Sequence, residues 1–194
     1  MSMELSNQKK LSEFYEELKR LGINIIRPDI NKCYTDFSSD GKNFLYALGA
    51  IKSVGFEAIS KIVEERTKNG EFKDLTDFIK RVNPKDINKL QLEGLVKAGA
   101  FDSFNMNRQS LYNSIPNIIL KSKNVFENNS VNQIDLFQEE NDLTYLDNIE
   151  DWTVDVKLSK EFETLGFFIS DHPLNQYKSL FNQYNIIDYE EFNS

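Results

Sequence analysis

The sequence of 194 residues has one cysteine (Cys33), one histidine (His172), one tryptophan (Trp152) and four prolines. A lone cysteine excludes an internal disulfide and fits a reducing compartment. Cys33 and His172 lie far apart with no Asn or Asp constellation around them, so they do not read as a nucleophile pair. No His/Cys cluster has metal-ligand spacing. No apolar run is long enough to span a bilayer. The opening MSMELSNQKK has no apolar stretch behind a basic start, and so does not read as a signal peptide. The expected location is cytoplasmic, with no membrane association and no cofactor.

What is present is enough for a core: 40% hydrophobic residues and 12% aromatics, in a length that fits one ordinary domain or two small ones. The net charge is -8, but it is unevenly placed. Residues 124–194 hold 15 acids against 3 bases, whereas residues 1–123 hold 16 acids against 20 bases. Only the front part could lie against a polyanion.

The patterning predicts a mainly α fold built from short helices. Residues 7–21 place Leu11, Phe14, Leu18 and Leu21 on one helical face, with Gly22 suited to the left-handed end. An extended segment, INIIRPDIN, follows, because Pro28 biases Arg27 away from helix. A small β-hairpin is expected near residues 35–48, turning at Asp40-Gly41. Four helical stretches come next. Residues 56–69 carry Phe56, Ile59, Ile62 and Val63 before Gly70. Residues 74–82 are capped by Asp74. Residues 88–98 precede Gly99, and residues 107–121 must kink or restart at Pro116. Residues 122–150 lose periodicity and read as a flexible acidic linker. Helix returns over 157–169, with Leu158, Phe162 and Leu165 on one face and Trp152 expected in local core with Phe162 and Phe168. His172-Pro173 breaks it before two short helical pieces.

Two turns have a chemistry of their own. LGAIKSVG (48–55) and LVKAGAF (95–101) are apolar-glycine turns that each feed a helix or helical turn. Such a pair is the pattern of tandem helix-hairpin-helix units. A tight turn aims backbone amides outward at a helix start, where the dipole adds partial positive charge and a phosphate oxygen can dock. Glycine lets the backbone come that close. The candidate phosphate-binding residues are Ile51, Lys52, Ser53, Val54 and Gly55 in the first turn, and Lys97, Ala98, Gly99 and Ala100 in the second. Contacts of this kind hold double-stranded DNA without reading its sequence.

YALGAIKSVG, AISKIVEERTKNGEFKDLTDFIKRV, NKLQLEGLVKAGAFDSFNMNR and LSKEFETLGFFISDHPL, in that order, resemble the bacterial replicative DNA polymerase III alpha subunits. The resemblance runs from about Lys9 through Tyr177. It implies a fragment with four parts: 1–47 as the end of the fingers, 48–121 as a tandem helix-hairpin-helix domain, 122–150 as the linker, and 151–194 leading toward an oligonucleotide-binding barrel outside the chain. It further implies a parent that is a DNA-directed DNA polymerase using Mg, with its catalytic residues elsewhere and with other replisome subunits as partners. The chain departs from the family pattern where Ser53 replaces a hairpin glycine and where Asp171 stands in Ser-Gly-His-Pro-Leu. If the first position needs a positive φ, Ser costs about 1 kcal/mol there. If it needs only a small residue, Ser is harmless.

Within the polar run NNSVNQIDLFQEEND stands a tight apolar pair. In the family the corresponding region carries the motif for the sliding clamp, and Gln133, Ile134, Asp135, Leu136 and Phe137 match it. Leu136 and Phe137 would supply the buried anchors, each contributing roughly 1.5–3 kcal/mol when desolvated. Gln133 offers an amide that donates and accepts. A different reading keeps the DNA contact alone, as a stand-alone helix-hairpin-helix DNA repair accessory protein.

Overall fold

A computed structural model describes residues 8–130, 146 and 148–184. Short polar side chains start three of its helices. Asp74 accepts the Asp77 amide and opens α3 (Leu75–Arg81). Asn88 forms a reciprocal capping box with Gln91 and opens α4 (Lys89–Lys97). Asn107 accepts the Ser110 amide and opens α5 (Arg108–Asn113). Each cap stabilises its helix by about 1 kcal/mol. The remaining helices among the described residues are α1 (Gln8–Arg20), α2 (Phe56–Asn69), α6 (Ile115–Ser130), α7 (Val154–Leu165) and α8 (Lys178–Gln183). Pro116 restarts the chain as expected: α5 ends at Asn113, and Pro116 sits in the first turn of α6, where its missing amide hydrogen costs nothing.

Three short strands form one sheet in the order β1-β3-β2: β1 (Asn24–Ile26), β2 (Ser38–Ser39) and β3 (Asn43–Leu45). The expected hairpin is the antiparallel β2–β3 pair, turning at Asp40-Gly41. The Asp40 carboxylate fixes that turn by accepting the amides of Lys42 and Asn43. The parallel partner β1 was not expected; the extended segment after α1 adds to the same sheet.

One buried cluster runs through all of this. It joins Leu11 and Tyr15 of α1, Ile30 and Cys33, Leu45 to Leu48, the apolar faces of α2 to α6, and Leu165, Phe167 and Ile169. The cluster thus includes residues on both sides of 47/48 and of 150/151. Buried arginines fasten the loops to it. Arg66 donates from Nη1 to the carbonyls of Ile30 (2.6 Å) and Cys33 (2.9 Å). Asn31 pairs with Phe72 through both its amide nitrogen and its oxygen, as a neighbouring strand would. Burial pushes the Cys33 thiol up to about 11, so it stays protonated beside the Arg27 carbonyl.

Several expected faces are redrawn. In α1 the buried pair is Leu11 and Tyr15, while Phe14 and Leu21 face out. Phe56 is 55% exposed, and Ala58 is buried in its helix instead. In α7 Phe162 is exposed and the carboxylate of Glu161 lies inward. Trp152 packs on Tyr112 at 5.4 Å between ring centres, whereas Phe162 packs on Phe168 at 5.1 Å. α6 continues through Ser130, past position 122 where a linker was expected to begin, with Ser122 buried and donating to the Ile79 carbonyl.

Candidate nucleic-acid interface

The first hairpin is a 3-10 turn at Leu48–Ala50 followed by a reversal at Ile51–Gly55 that enters α2. Val54 is its apolar anchor: fully buried, its amide bonded to the Ile51 carbonyl. On either side of it the backbone is left-handed, with φ of 68° at Ser53 and 78° at Gly55. Ser53 therefore occupies a positive-φ position, which settles the two alternatives for the missing glycine in favour of strain.

The hairpin is held from behind by two helices. Gln91 Nε2 donates to the Val54 carbonyl at 2.8 Å. A Cβ added to Gly94 would stand 2.9 Å from Val54 Cγ2 and 3.0 Å from the Lys52 carbonyl, so only glycine lets α4 approach this closely. From α7, the Thr164 carbonyl accepts the Lys52 amide at 3.0 Å.

Facing outward are the side chains of Lys52 and Ser53 and the start of α2. Gly55 caps that helix without any side-chain bond. Among the described residues, the amides of Gly55, Phe56 and Glu57 find no acceptor. Unsatisfied amides, the helix dipole and one exposed ammonium make a cradle for an oxyanion. The Glu57 carboxylate stands in the same first turn and offsets part of that attraction.

The second hairpin is different. The amides of Ala98, Gly99 and Ala100 donate to the carbonyls of Gly94, Val96 and Leu95, and all three residues are buried. Gly99 has φ 79°, and a Cβ there would lie 2.3 Å from Arg108 Nη2. The Arg108 guanidinium covers this turn, bonded to Asp102 at 2.7 Å and 2.5 Å and to Glu161 at 3.1 Å. Burial pulls its pKa down, but the two carboxylates outweigh burial and hold it above the ordinary value. Glu161 also accepts the amide and hydroxyl of Ser170. The expectation that Ala98, Gly99 and Ala100 present amides to phosphate is thus corrected: every one of those amides has an acceptor inside the chain. In the first turn the amides of Ile51, Lys52 and Val54 are bonded too, which leaves Ser53 and Gly55 from the expected set.

Lys97 is similarly engaged. Its Nζ lies 2.8 Å from Glu163 Oε1 and 5.5 Å from the Tyr112 ring centre. Burial lowers its pKa, but Glu163 more than compensates and the net shift is upward. The expected clamp residues Gln133, Ile134, Asp135, Leu136 and Phe137 lie outside the described residues. The sequence did not single out Phe56, Glu57, Gln91, Gly94, Glu163 or Thr164. Gly94 alone left a signal, because glycine inside a helix is costly and needs a packing reason.

Short helices meet here at glycine-containing turns, as in a helix-hairpin-helix fold, and a family model described as "Helix-hairpin-helix motif" matches residues 22–111. The chain is similar to DNA polymerase III subunit alpha of Campylobacter jejuni, at 37% identity over 97% of this chain and 16% of that protein. The subunits of Caulobacter vibrioides and Borreliella burgdorferi are 36% and 33% identical, over 90% and 97% of this chain. Along 90% or more of its own length the chain is thus similar to one stretch of the DNA polymerase III alpha subunits. It spans about a sixth of the length of the curated relatives it matches.

Proposed function

We propose that this chain is the part of a replicative polymerase subunit that grips DNA by its backbone and tethers the enzyme to a sliding clamp. The observation that carries the first half is the uncapped start of α2, where the amides of Gly55, Phe56 and Glu57 stand open beside Lys52 and Ser53. Duplex DNA docks there through phosphates, with no preference for sequence. The second half rests on Gln133 to Phe137 within an Asn- and acid-rich stretch. A clamp that encircles DNA and holds this segment raises the local concentration of the polymerase at the primer end. In this reading the chain has no catalytic residue and no cofactor of its own. The parent protein works in the cytoplasm, uses Mg and contacts other replisome subunits. No described helix is long and apolar enough to cross a membrane.

The test has two arms. Titration of a bacterial sliding clamp should show binding on the order of micromolar, lost in a Leu136→Ala, Phe137→Ala double variant that still binds duplex DNA. Loss of both activities, or of neither, would remove the tether from the proposal. Duplex binding with no clamp binding would favour the repair-accessory reading.

A further inference from the structure

Lys97 and Glu163 pose a problem that the fold alone does not answer. The Lys97 side chain is only 13% exposed, yet its partner Glu163 is 48% exposed and is also approached by Lys160 at 3.4 Å. The pair lines a cavity of about 140 Å³ shared with Lys52 and Ser53 of the first hairpin. The next residue, Thr164, accepts the Lys52 amide. The last turn of α7 thus lies against the phosphate cradle and carries a carboxylate onto the nearest ammonium.

We propose that Glu163 is a built-in stand-in for a DNA phosphate: it occupies Lys97, and a backbone phosphate held at the first hairpin displaces it to recruit Lys97 as a second contact. The inference rests on the duplex-DNA reading above. A carboxylate and a phosphate oxygen compete for the same ammonium by the same charge-assisted hydrogen bond. Glu163 can leave at little cost because its carboxylate is half in water, where an ion pair is weak. Lys97 cannot follow it far, since its side chain lies against the Tyr112 ring. The ammonium therefore remains beside the hairpin, ready for the incoming anion. By contrast, Lys52 is open to solvent and Arg108 is closed by a buried acid, Glu161.

The experiment uses the whole chain and a labelled duplex of mixed sequence, with affinity followed by anisotropy across a salt series. Glu163→Gln should bind roughly two- to fivefold tighter at low salt. Its plot of log affinity against log salt should keep the wild-type slope, because Lys97 meets a phosphate in both chains, whereas Lys97→Ala should make the slope shallower by about 0.9. In a Lys97→Ala background Glu163→Gln should give no gain. Glu13→Gln, which removes one charge from α1, serves as the control and should give no comparable gain in affinity. A Glu163→Gln chain that binds like the wild type overturns the inference alone. So does a gain that persists without Lys97, since it would reflect bulk charge. If neither chain binds duplex at low salt, the DNA reading falls and takes this inference with it. Thermal melting of each variant separates these results from unfolding.

Discussion

Ser53 holds a backbone conformation that an L side chain adopts only under strain, φ 68°, at the turn proposed to meet the phosphate. Its short side chain points outward, so the cost is conformational and not a clash. Ser53→Gly removes that strain but adds freedom to the unfolded chain. The two effects are each about 1 kcal/mol and nearly cancel. Ser53→Val has no such compensation, because a β-branched residue is poorly tolerated at positive φ. We expect urea melts to show little change for Ser53→Gly and a loss of about 1–2 kcal/mol for Ser53→Val. Equal stabilities for the two would mean that the turn relaxes to another conformation. Arg108, Glu161 and Gly99 form the opposite kind of site, in which a buried ion pair closes a turn. Their role is structural, and the sequence disguised it: an arginine in a basic half looks like a DNA contact until its partners are seen.

Gly94 belongs to a helix–hairpin contact. A methyl group there meets Val54 and the Lys52 carbonyl at about 3 Å, so Gly94→Ala must push the first hairpin off α4. The expected result is a loss of about 1–3 kcal/mol in stability together with weaker duplex binding. Unchanged DNA affinity in a destabilised Gly94→Ala chain would show that the cradle does not depend on α4. α7 makes a pH prediction. Burial raises the pKa of Asp151, but Lys157 and the amides of Gln109 and Trp152 outweigh it, and the net shift is downward. Its bond to Lys97 lowers Glu163. A depressed carboxylate adds stability above its unfolded pKa, near 4, and loses it as the pH falls through the lower folded value. Stability should therefore be flat from neutral pH to about 5 and decline as the pH falls further. The emission of Trp152, the lone tryptophan, should report the segment leading into α7 loosening from Tyr112. Asp151→Asn should blunt the decline. Helix existence was legible throughout this region, because glycine, proline and caps mark their own boundaries: α2 falls at the residues its periodicity predicts. Which face turns inward was less legible. Phe14, Phe56 and Phe162 fit an apolar stripe, yet their neighbours Tyr15, Ala58 and Glu161 are the ones covered, since tertiary partners and not periodicity choose the buried edge. β1 lies inside the segment expected to be extended, but its parallel pairing with β3 left no signal, because three residues are too few to show which strand they join.

The charge excess of the front 123 residues overstates what faces DNA. Arg66, Arg81, Arg108 and Lys97 are all committed to carbonyls or carboxylates of the chain itself. On the first hairpin itself Lys52 is the exposed ammonium, so few counterions are released in the proposed complex. Duplex binding should therefore have a shallow salt slope, about -1 to -2, as for one or two phosphates neutralised. A slope near -4 would mean that cations away from the hairpin also reach the backbone. Lys52→Ala should reduce the slope by about 0.9 without creating any sequence preference. The asymmetry of the two hairpins fits this economy. Their sequences look alike, but the second is sealed by Arg108, a residue nine positions beyond Gly99, whose destination no local pattern could reveal.

The Tyr15 hydroxyl donates to the Ile169 carbonyl, 154 positions later, and its ring packs on Phe167 at 4.7 Å. During synthesis the first helix thus emerges long before the residues that cover it. Until Ile169 clears the ribosome, the nascent chain presents Leu11 and Tyr15 without their final lining, a species open to wrong partners. A ribosome stalled before Phe167 would display an incomplete core, which protease sensitivity of arrested chains would reveal.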